Sequence, residues 1–256
     1  MLFEDGTVLA LDKPPRLLTS PDRHDPERPS LLALLHLGIA AGAPWARARQ
    51  LAYLVNAYRL DAEASGVLLL AATKPALAHL ANQFGSLKPL LTYLVLVRGV
   101  PPADSFEVTA PLAPDSTCPG RTRVDTRHGR KAVTGFRAVE SFRGYTLLQA
   151  QPLTARRHQV RVHLRHAGFP VVGDALYGGA PLRLSQLKPG YQAKADDPER
   201  PLLGRAALHA ERLTAIHPGT GDPLTVTAPW PKDLLVAVKY LRRFAPRLGP
   251  DVAPPS

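Results

Sequence analysis

The sequence predicts an α+β protein with a mixed or antiparallel sheet core and flanking helices. Three observations predict that class. Apolar runs of strand length, such as Val67 to Ala72 and Leu90 to Val97, recur between turn-forming residues. Longer segments that open on a capping Ser or Thr lie between them. Hairpin-like strand pairs joined by only a few helices differ from the regular alternation of a parallel α/β sheet.

The elements follow in order. Thr7 to Leu11 reads as a short strand that ends at the Lys13-Pro14-Pro15 turn. Ser30 caps a helix over Leu31 to Ile39, ending near Gly42. Val67 to Ala72 is a buried strand, and Thr73 then caps a helix with Pro75 near its first position, running to about Phe84. Leu90 to Val97 is a second apolar strand. Residues 120 to 137 are arginine-rich, with Arg121, Arg123, Arg127, Arg130, Lys131 and Arg137. Strands are expected at 132 to 140 and 144 to 151, and a helix over Arg157 to Ala167 with Gly168 as its stop. Residues 179 to 204, rich in Gly, Pro and charge, read as a long loop. Strands recur at 208 to 216 and 223 to 228, and Pro231 opens a last helix to about Phe244. No internal repeat is visible. Residues 1 to 244 are expected to form the folded domain, with 245 to 256 a disordered tail.

Bulk properties bound the function. The chain's 256 residues suit one large domain or two small lobes, and 45% hydrophobic residues argue against disorder. Lys and Arg total 32 against 21 Asp and Glu, a net charge of +11. That excess favours a polyanionic partner, nucleic acid or an anionic membrane surface. No run reaches the length of a membrane span, and the start MLFEDG lacks a signal pattern. The single cysteine, Cys118, excludes an internal disulfide framework and a cysteine-based zinc site. A cytoplasmic protein is expected, and a monomer, because no exposed apolar helix stands out.

One carboxylate is set apart. In Tyr58-Arg59-Leu60-Asp61-Ala62-Glu63-Ala64-Ser65-Gly66, Asp61 follows an arginine and precedes a small-residue turn and the apolar run VLLLAA. That is the setting of a placed nucleophile rather than of surface charge. Asp61 and Glu63 also invite a two-carboxylate glycosidase reading, but the sequence does not set their separation.

A second segment, residues 153 to 179, reads LTARRHQVRVHLRHAGFPVVGDALYGG. On a helix, Val160, Leu164 and Ala167 share a core-facing side, while Arg157, Arg161 and Arg165 share another, by default a solvated basic face. His158, His163 and His166 lie close together, but 158 points away from the other two and no acidic ligand pair accompanies them, so no metal is predicted. Asp174 reads as a turn or capping residue. Tyr93, in Leu91 to Gly99, is either a core strand aromatic or a functional residue. Glycine-rich phosphate loops are absent.

The segment around Asp61 resembles the catalytic loop of the RluA-type family of RNA pseudouridine synthases. That pattern reads His-Arg-Leu-Asp, two variable residues, then Thr-Ser-Gly and a hydrophobic run; Tyr58 replaces the histidine and Ala64 the threonine. Residues 153 to 179 resemble the family's Gly-Arg-Thr-His-Gln-Ile-Arg-Val-His-Leu segment and the Gly-His-Pro-Val, Gly-Asp and Tyr-Gly that follow. They keep Arg156, His158, Gln159, Arg161, His163, Pro170, Gly173, Asp174, Tyr177 and Gly178, and depart at Ala155, Arg157 and Phe169. Leu91 to Gly99 resembles the family's Lys-x-Tyr strand, with Leu91 for the lysine. Lys131 to Thr134, and Leu208-His209-Ala210 with His217-Pro218, are weaker matches. All run in family order from Asp12-Lys13-Pro14 to Pro231.

The resemblance implies a pseudouridine-synthase-like fold with a central catalytic cleft. It implies isomerisation of a specific uridine in rRNA or tRNA to pseudouridine, with RNA as the partner and no cofactor, metal or membrane. Its implied catalytic residues are Asp61, Tyr93 and Arg161. Asp61 is the nucleophile on either the base or ribose C1′. Arg161 holds that carboxylate ionised and oriented. Tyr93 packs on the base and helps remove the C5 proton. The implied substrate-binding set is Arg59, Ser65, Lys131, Arg156 and His158, Arg59 and Ser65 shaping the loop. The family's small N-terminal RNA-binding module is not expected, because the chain begins at the first catalytic strand. The departures at Tyr58, Leu91 and Ala155 leave a second reading, a catalytically inactive RNA-binding protein or RNA chaperone of the same fold. A metal-dependent hydrolase is a third; it predicts inhibition by chelators.

Overall fold

A computed structural model describes residues 1–22, 25–86, 89–191 and 199–247, and over these the chain is α+β with a mixed sheet, the predicted class. The domain expected over 1 to 244 divides into two compact units. One comprises 1–93 and 209–229, the other 94–208 and the chain from 230 onward.

The first unit opens with β1 (Phe3–Glu4) and β2 (Val8–Lys13). It continues through α1 (Leu31–Ala40), α2 (Pro44–Arg47), β3 (Val55–Asn56), β4 (Ser65–Ala71) and α3 (Lys74–Gly85) to the start of β5 (Leu90–Arg98). The second unit takes the rest of β5, then β6 (Ser105–Thr109), β7 (Leu112–Pro114), β8 (Thr122–Val124), β9 (Val133–Phe142), β10 (Tyr145–Pro152) and α4 (Gln159–His166). β11 (Leu208–Ile216) and β12 (Pro223–Thr227) return to the first unit, and α5 (Lys232–Phe244) completes the second.

In the first unit β4 is central, and all seven of its residues are buried, as its unbroken apolar run demands. It pairs antiparallel with β2, from Val8↔Ala71 to Lys13↔Gly66, and parallel with β11 at Ser65 and Gly66. Gly66 has φ +113°, and a Cβ there would sit 2.2 Å from the Ala210 carbonyl oxygen, so no other residue fits this approach of strands. Val67, Leu69 and Ala71 share a core with Val8, Ala10, Leu213 and the α3 residues Ala76 and Leu80. The predicted caps are in place: Ser30 accepts from the Ala33 N–H and Thr73 from the Ala76 N–H. α1 departs from the premise of the monomer expectation. None of its residues is fully buried, and Leu34 and Leu37 are 50% and 67% exposed.

In the second unit β5, β10, β9 and β6 lie in that order, and β7 and β8 form a separate two-stranded ribbon that opens the arginine-rich stretch. α4 starts two residues later than the periodicity suggests. His158 has φ +56°, a left-handed conformation that a helix interior excludes, so the helix begins behind it. Gly168, at φ +87°, lies just beyond its other end. The solvated arginine face is corrected: Arg157 precedes the helix and Arg165 is exposed, but Arg161 is only 3% exposed. Residues 179–191 and 199–204 contain a 3₁₀ turn at Leu184–Gln186 and a bridge from Leu182 to Leu203. At the expected tail, Ala245 is buried and its carbonyl accepts from the Arg143 N–H; 248–256 lie outside the described residues. Among the described residues no helix is long and apolar enough to cross a membrane.

Candidate active site

Asp61 sits on an irregular stretch between β3 and β4, where backbone polar groups need partners other than a ladder. The Ala64 N–H donates to the Asp61 carbonyl at 3.1 Å, so Asp61 is the first residue of a tight turn. Side chains from 13 to 20 hold both flanks. Before Asp61, the buried Thr19 hydroxyl bonds both the N–H and the carbonyl of Leu60. After it, the Lys13 ammonium, fully buried, donates to the Ala62 carbonyl at 3.3 Å and to those of Pro14 and Leu17 at 2.7 Å each. Further back, Ser20 donates to Asn56, whose amide donates to the Tyr58 carbonyl. The carboxylate is thereby left half-buried on a fixed backbone.

Two tyrosines belong to the same unit. Tyr58 packs its ring on Phe84, centroids 4.6 Å apart, and its hydroxyl donates to the Val67 carbonyl of β4 at 2.5 Å. The residue at the place of the family histidine is therefore a tether between the Asp61 stretch and β4. Burial raises the pKa of Tyr58 and keeps it a phenol. Tyr93 is raised well above the usual tyrosine value, first by burial and then by Tyr58 and by the Asp61 charge. Asp61 is thus within electrostatic reach of Tyr93. Arg59 is exposed. Ser65 differs from the expected substrate contact: it is 2% exposed and shares a hydrogen bond with His209 Nδ1 at 3.0 Å, so it joins β4 to β11 from the inside.

The other predicted residues lie in the second unit. Lys131 and Arg156 are exposed and adjacent, the Arg156 Nε donating to the Lys131 carbonyl at 3.2 Å. His158 is half-buried, with Nδ1 2.8 Å from the Tyr177 hydroxyl. That hydroxyl also accepts the Thr122 N–H, which joins His158 to β8 through Tyr177. Arg161 lies over the Tyr177 ring, 4.9 Å from its centroid, and grips Asp174 with two hydrogen bonds. Asp174 stands at the turn position expected, where its carbonyl accepts the Tyr177 and Gly179 N–H groups, but its side chain makes no cap and is instead this partner. Gln159 fixes the approach to α4: its oxygen accepts from Thr154 and from the Arg156 N–H, and its amide donates to Val133 and Thr134.

Thr19 and Lys13 are the residues that sequence reasoning passed over. Lys13 carried a signal, a lysine ending an apolar strand before two prolines. Thr19 carried none. Among the described residues no group of three or more His, Cys, Asp or Glu side chains is placed to hold a metal ion.

Residues 7–166 match the family model described as RNA pseudouridylate synthase. Over 253 residues the chain is 36% identical to the ribosomal large subunit pseudouridine synthase D of Xanthomonas campestris pv. campestris, covering 96% of this chain and 70% of that protein. It is 32% identical over 246 residues to the ribosomal large subunit pseudouridine synthase C of Salmonella typhi, covering 96% of this chain and 70% of that one. The solved structure of human RNA pseudouridylate synthase domain containing 4 shares the fold, with a TM-score of 0.70 at 22% identity over 94% of this chain and 92% of that one.

Proposed function

The chain belongs to the RluA-type family of RNA pseudouridine synthases, and from that premise we propose that it isomerises a uridine of ribosomal or transfer RNA with Asp61 as the nucleophile. Ribosomal RNA is the favoured target, since relatives alike over nearly the whole chain are named for the large ribosomal subunit. In the reaction the bond from C1′ to N1 breaks and one from C1′ to C5 forms. The C5 proton leaves to solvent and N1 gains one, so atoms balance without a cofactor or metal. Asp61 adds either to the base or to C1′ and is released when the new bond forms.

The observation that carries the proposal is the pinned turn at Asp61. A nucleophile must be held at attack distance, and a backbone gripped on both flanks does that before substrate arrives. Tyr93 is a neutral phenol beside it, suited to pack on the base and to pass the C5 proton through its hydroxyl. Arg161 is kept as a catalytic residue on the family resemblance, its guanidinium fixed by Asp174. A paired or stacked uridine is out of reach, so the enzyme extrudes it. Arg123, Arg127, Arg130, Lys131 and Arg156, all exposed, hold backbone phosphates. The proposal includes a cytoplasmic monomer; light scattering on the purified protein tests the oligomeric state, with the exposed leucines of α1 the first place to look if it dimerises.

The test is tritium release from cellular RNA labelled at uridine C5, taken from cells lacking the protein. Wild type releases tritium. Asp61→Asn lowers release by on the order of 10⁴-fold while binding RNA normally. No release from either protein, with RNA binding intact, would instead leave the non-catalytic RNA-binding reading.

A further inference from the structure

We infer that Thr19 is a positioning residue for Asp61, acting through the backbone of Leu60. The inference rests on the reading of Asp61 as nucleophile. Thr19 is 2% exposed and Leu60 4% exposed. The Thr19 hydroxyl donates to the Leu60 carbonyl at 2.9 Å and accepts the Leu60 N–H at 3.1 Å. A hydroxyl is one donor and an acceptor, so a single side chain satisfies both backbone groups of one buried residue. The next residue in the chain is Asp61. The Asp61 Cα lies in the plane of the Leu60 carbonyl, so fixing that peptide group fixes it too and leaves the carboxylate only the freedom of the φ and side-chain torsions of Asp61.

Thr19 is itself held. Its carbonyl accepts the Leu32 N–H at 3.0 Å, and the Leu18 carbonyl accepts the Leu31 N–H at 2.8 Å. These are among the first N–H groups of α1, which have no partner within the helix. Ser30 caps the same turn. A mechanical path therefore runs from the N-terminus of α1 through Thr19 to Leu60 and on to the carboxylate. Lys13 performs the matching task at Ala62, on the other flank.

A second clamp of the same type provides a control within the same unit. The Gln83 side chain, 7% exposed, donates to the Ile216 carbonyl at 2.7 Å and accepts the Ile216 N–H at 2.8 Å. It holds the end of β11 rather than the backbone beside Asp61. Removing either clamp should lower stability, but only Thr19 should affect turnover.

The experiment is single-turnover tritium release with enzyme in excess, using the labelled RNA described above, on wild type, Thr19→Val, Thr19→Ser, Gln83→Leu and Asp61→Asn. Thr19→Val keeps the shape and removes both hydrogen bonds. Its saturating rate should fall on the order of 10²-fold, as expected for a displaced reacting group, with the half-saturating enzyme concentration unchanged. Thr19→Ser should restore the rate, and Gln83→Leu should lower the melting temperature while keeping the wild-type rate. If Thr19→Val does not fold, Thr19→Cys, a weaker hydrogen-bonding group, should show the same fall in rate with serine as its rescue. A wild-type rate in the valine or cysteine variant, an equal loss in Gln83→Leu, or no rescue by serine overturns the inference while Asp61→Asn is inactive. An active Asp61→Asn instead overturns the nucleophile reading, and this inference with it.

Discussion

Arg161 and Asp174 meet through two parallel hydrogen bonds, Nε to Oδ2 at 2.6 Å and Nη2 to Oδ1 at 2.7 Å, with side chains only 3% and 1% exposed. This fork-on-carboxylate geometry suits arginine and excludes lysine, whose ammonium is a point charge on a flexible stem. It also takes the guanidinium from a flexible surface group to a fixed one, which a cation assigned to a reacting site requires.

Asp174→Asn should therefore cost about 3–5 kcal/mol, the usual penalty for leaving one member of a buried pair without its partner. Urea unfolding measures it. Arg161→Met combined with Asp174→Leu should recover part of that loss, because both members of the pair are replaced by apolar groups, and should still be inactive. A cost below about 1 kcal/mol for Asp174→Asn would mean that the pair is dispensable for the fold.

Tyr58→Phe should leave the stacking on Phe84 and remove the bond to Val67. The expected loss is about 1 kcal/mol of stability, for one hydrogen bond to a strand carbonyl. Tritium release should fall with it, since the tether ends three residues before Asp61. Unchanged stability and activity would show that the hydroxyl has no part in holding the turn.

RNA binding should weaken steeply with salt, through release of counterions from the phosphates that the exposed arginines and Lys131 are proposed to cover. Lys131→Ala should reduce the slope of log K against log salt by roughly 0.7–0.9, one phosphate contact. Fluorescence anisotropy at several salt concentrations reads both. An unchanged slope would remove Lys131 from the RNA surface.

Stability should also depend on His163. It is fully buried, its Nε2 proton goes to the Ala110 carbonyl, and its Nδ1 accepts from Thr134. Burial lowers its pKa below the ordinary 6.5. The unfolded chain therefore takes up a proton that the folded one resists, so stability is fully present above about pH 6.5 and is lost as pH falls through the folded value. Thermal unfolding between pH 7 and 5 should show that decline, and His163→Gln should flatten it. Equal slopes for the two proteins would place the acid sensitivity elsewhere.

Much of the fold could be read from local pattern. Ser30 and Thr73 mark helix starts because a side-chain oxygen followed by an apolar repeat meets a need intrinsic to any helix. β4 was legible because a run buried on both faces must be apolar throughout. The short strands β1, β3, β7 and β8 were not legible. Strands of two or three residues hold no full period, and pairing partners elsewhere in the chain create them. The start of α4 was missed because His158 adopts a left-handed conformation, which its residue type does not signal.

For the proposed site, the sequence alone determined the family and the order of its segments, and with them the candidates Asp61 and Tyr93, because those depend on residue type and spacing. Only the tertiary structure decided that Ser65 faces inward, that Asp174 is the partner of Arg161, and that Thr19 and Lys13 grip the two flanks of Asp61. Each of these joins residues 13 to 144 positions apart through one or two hydrogen bonds. A bond of that kind constrains two positions that no local period connects. It exists only once the chain has brought them together.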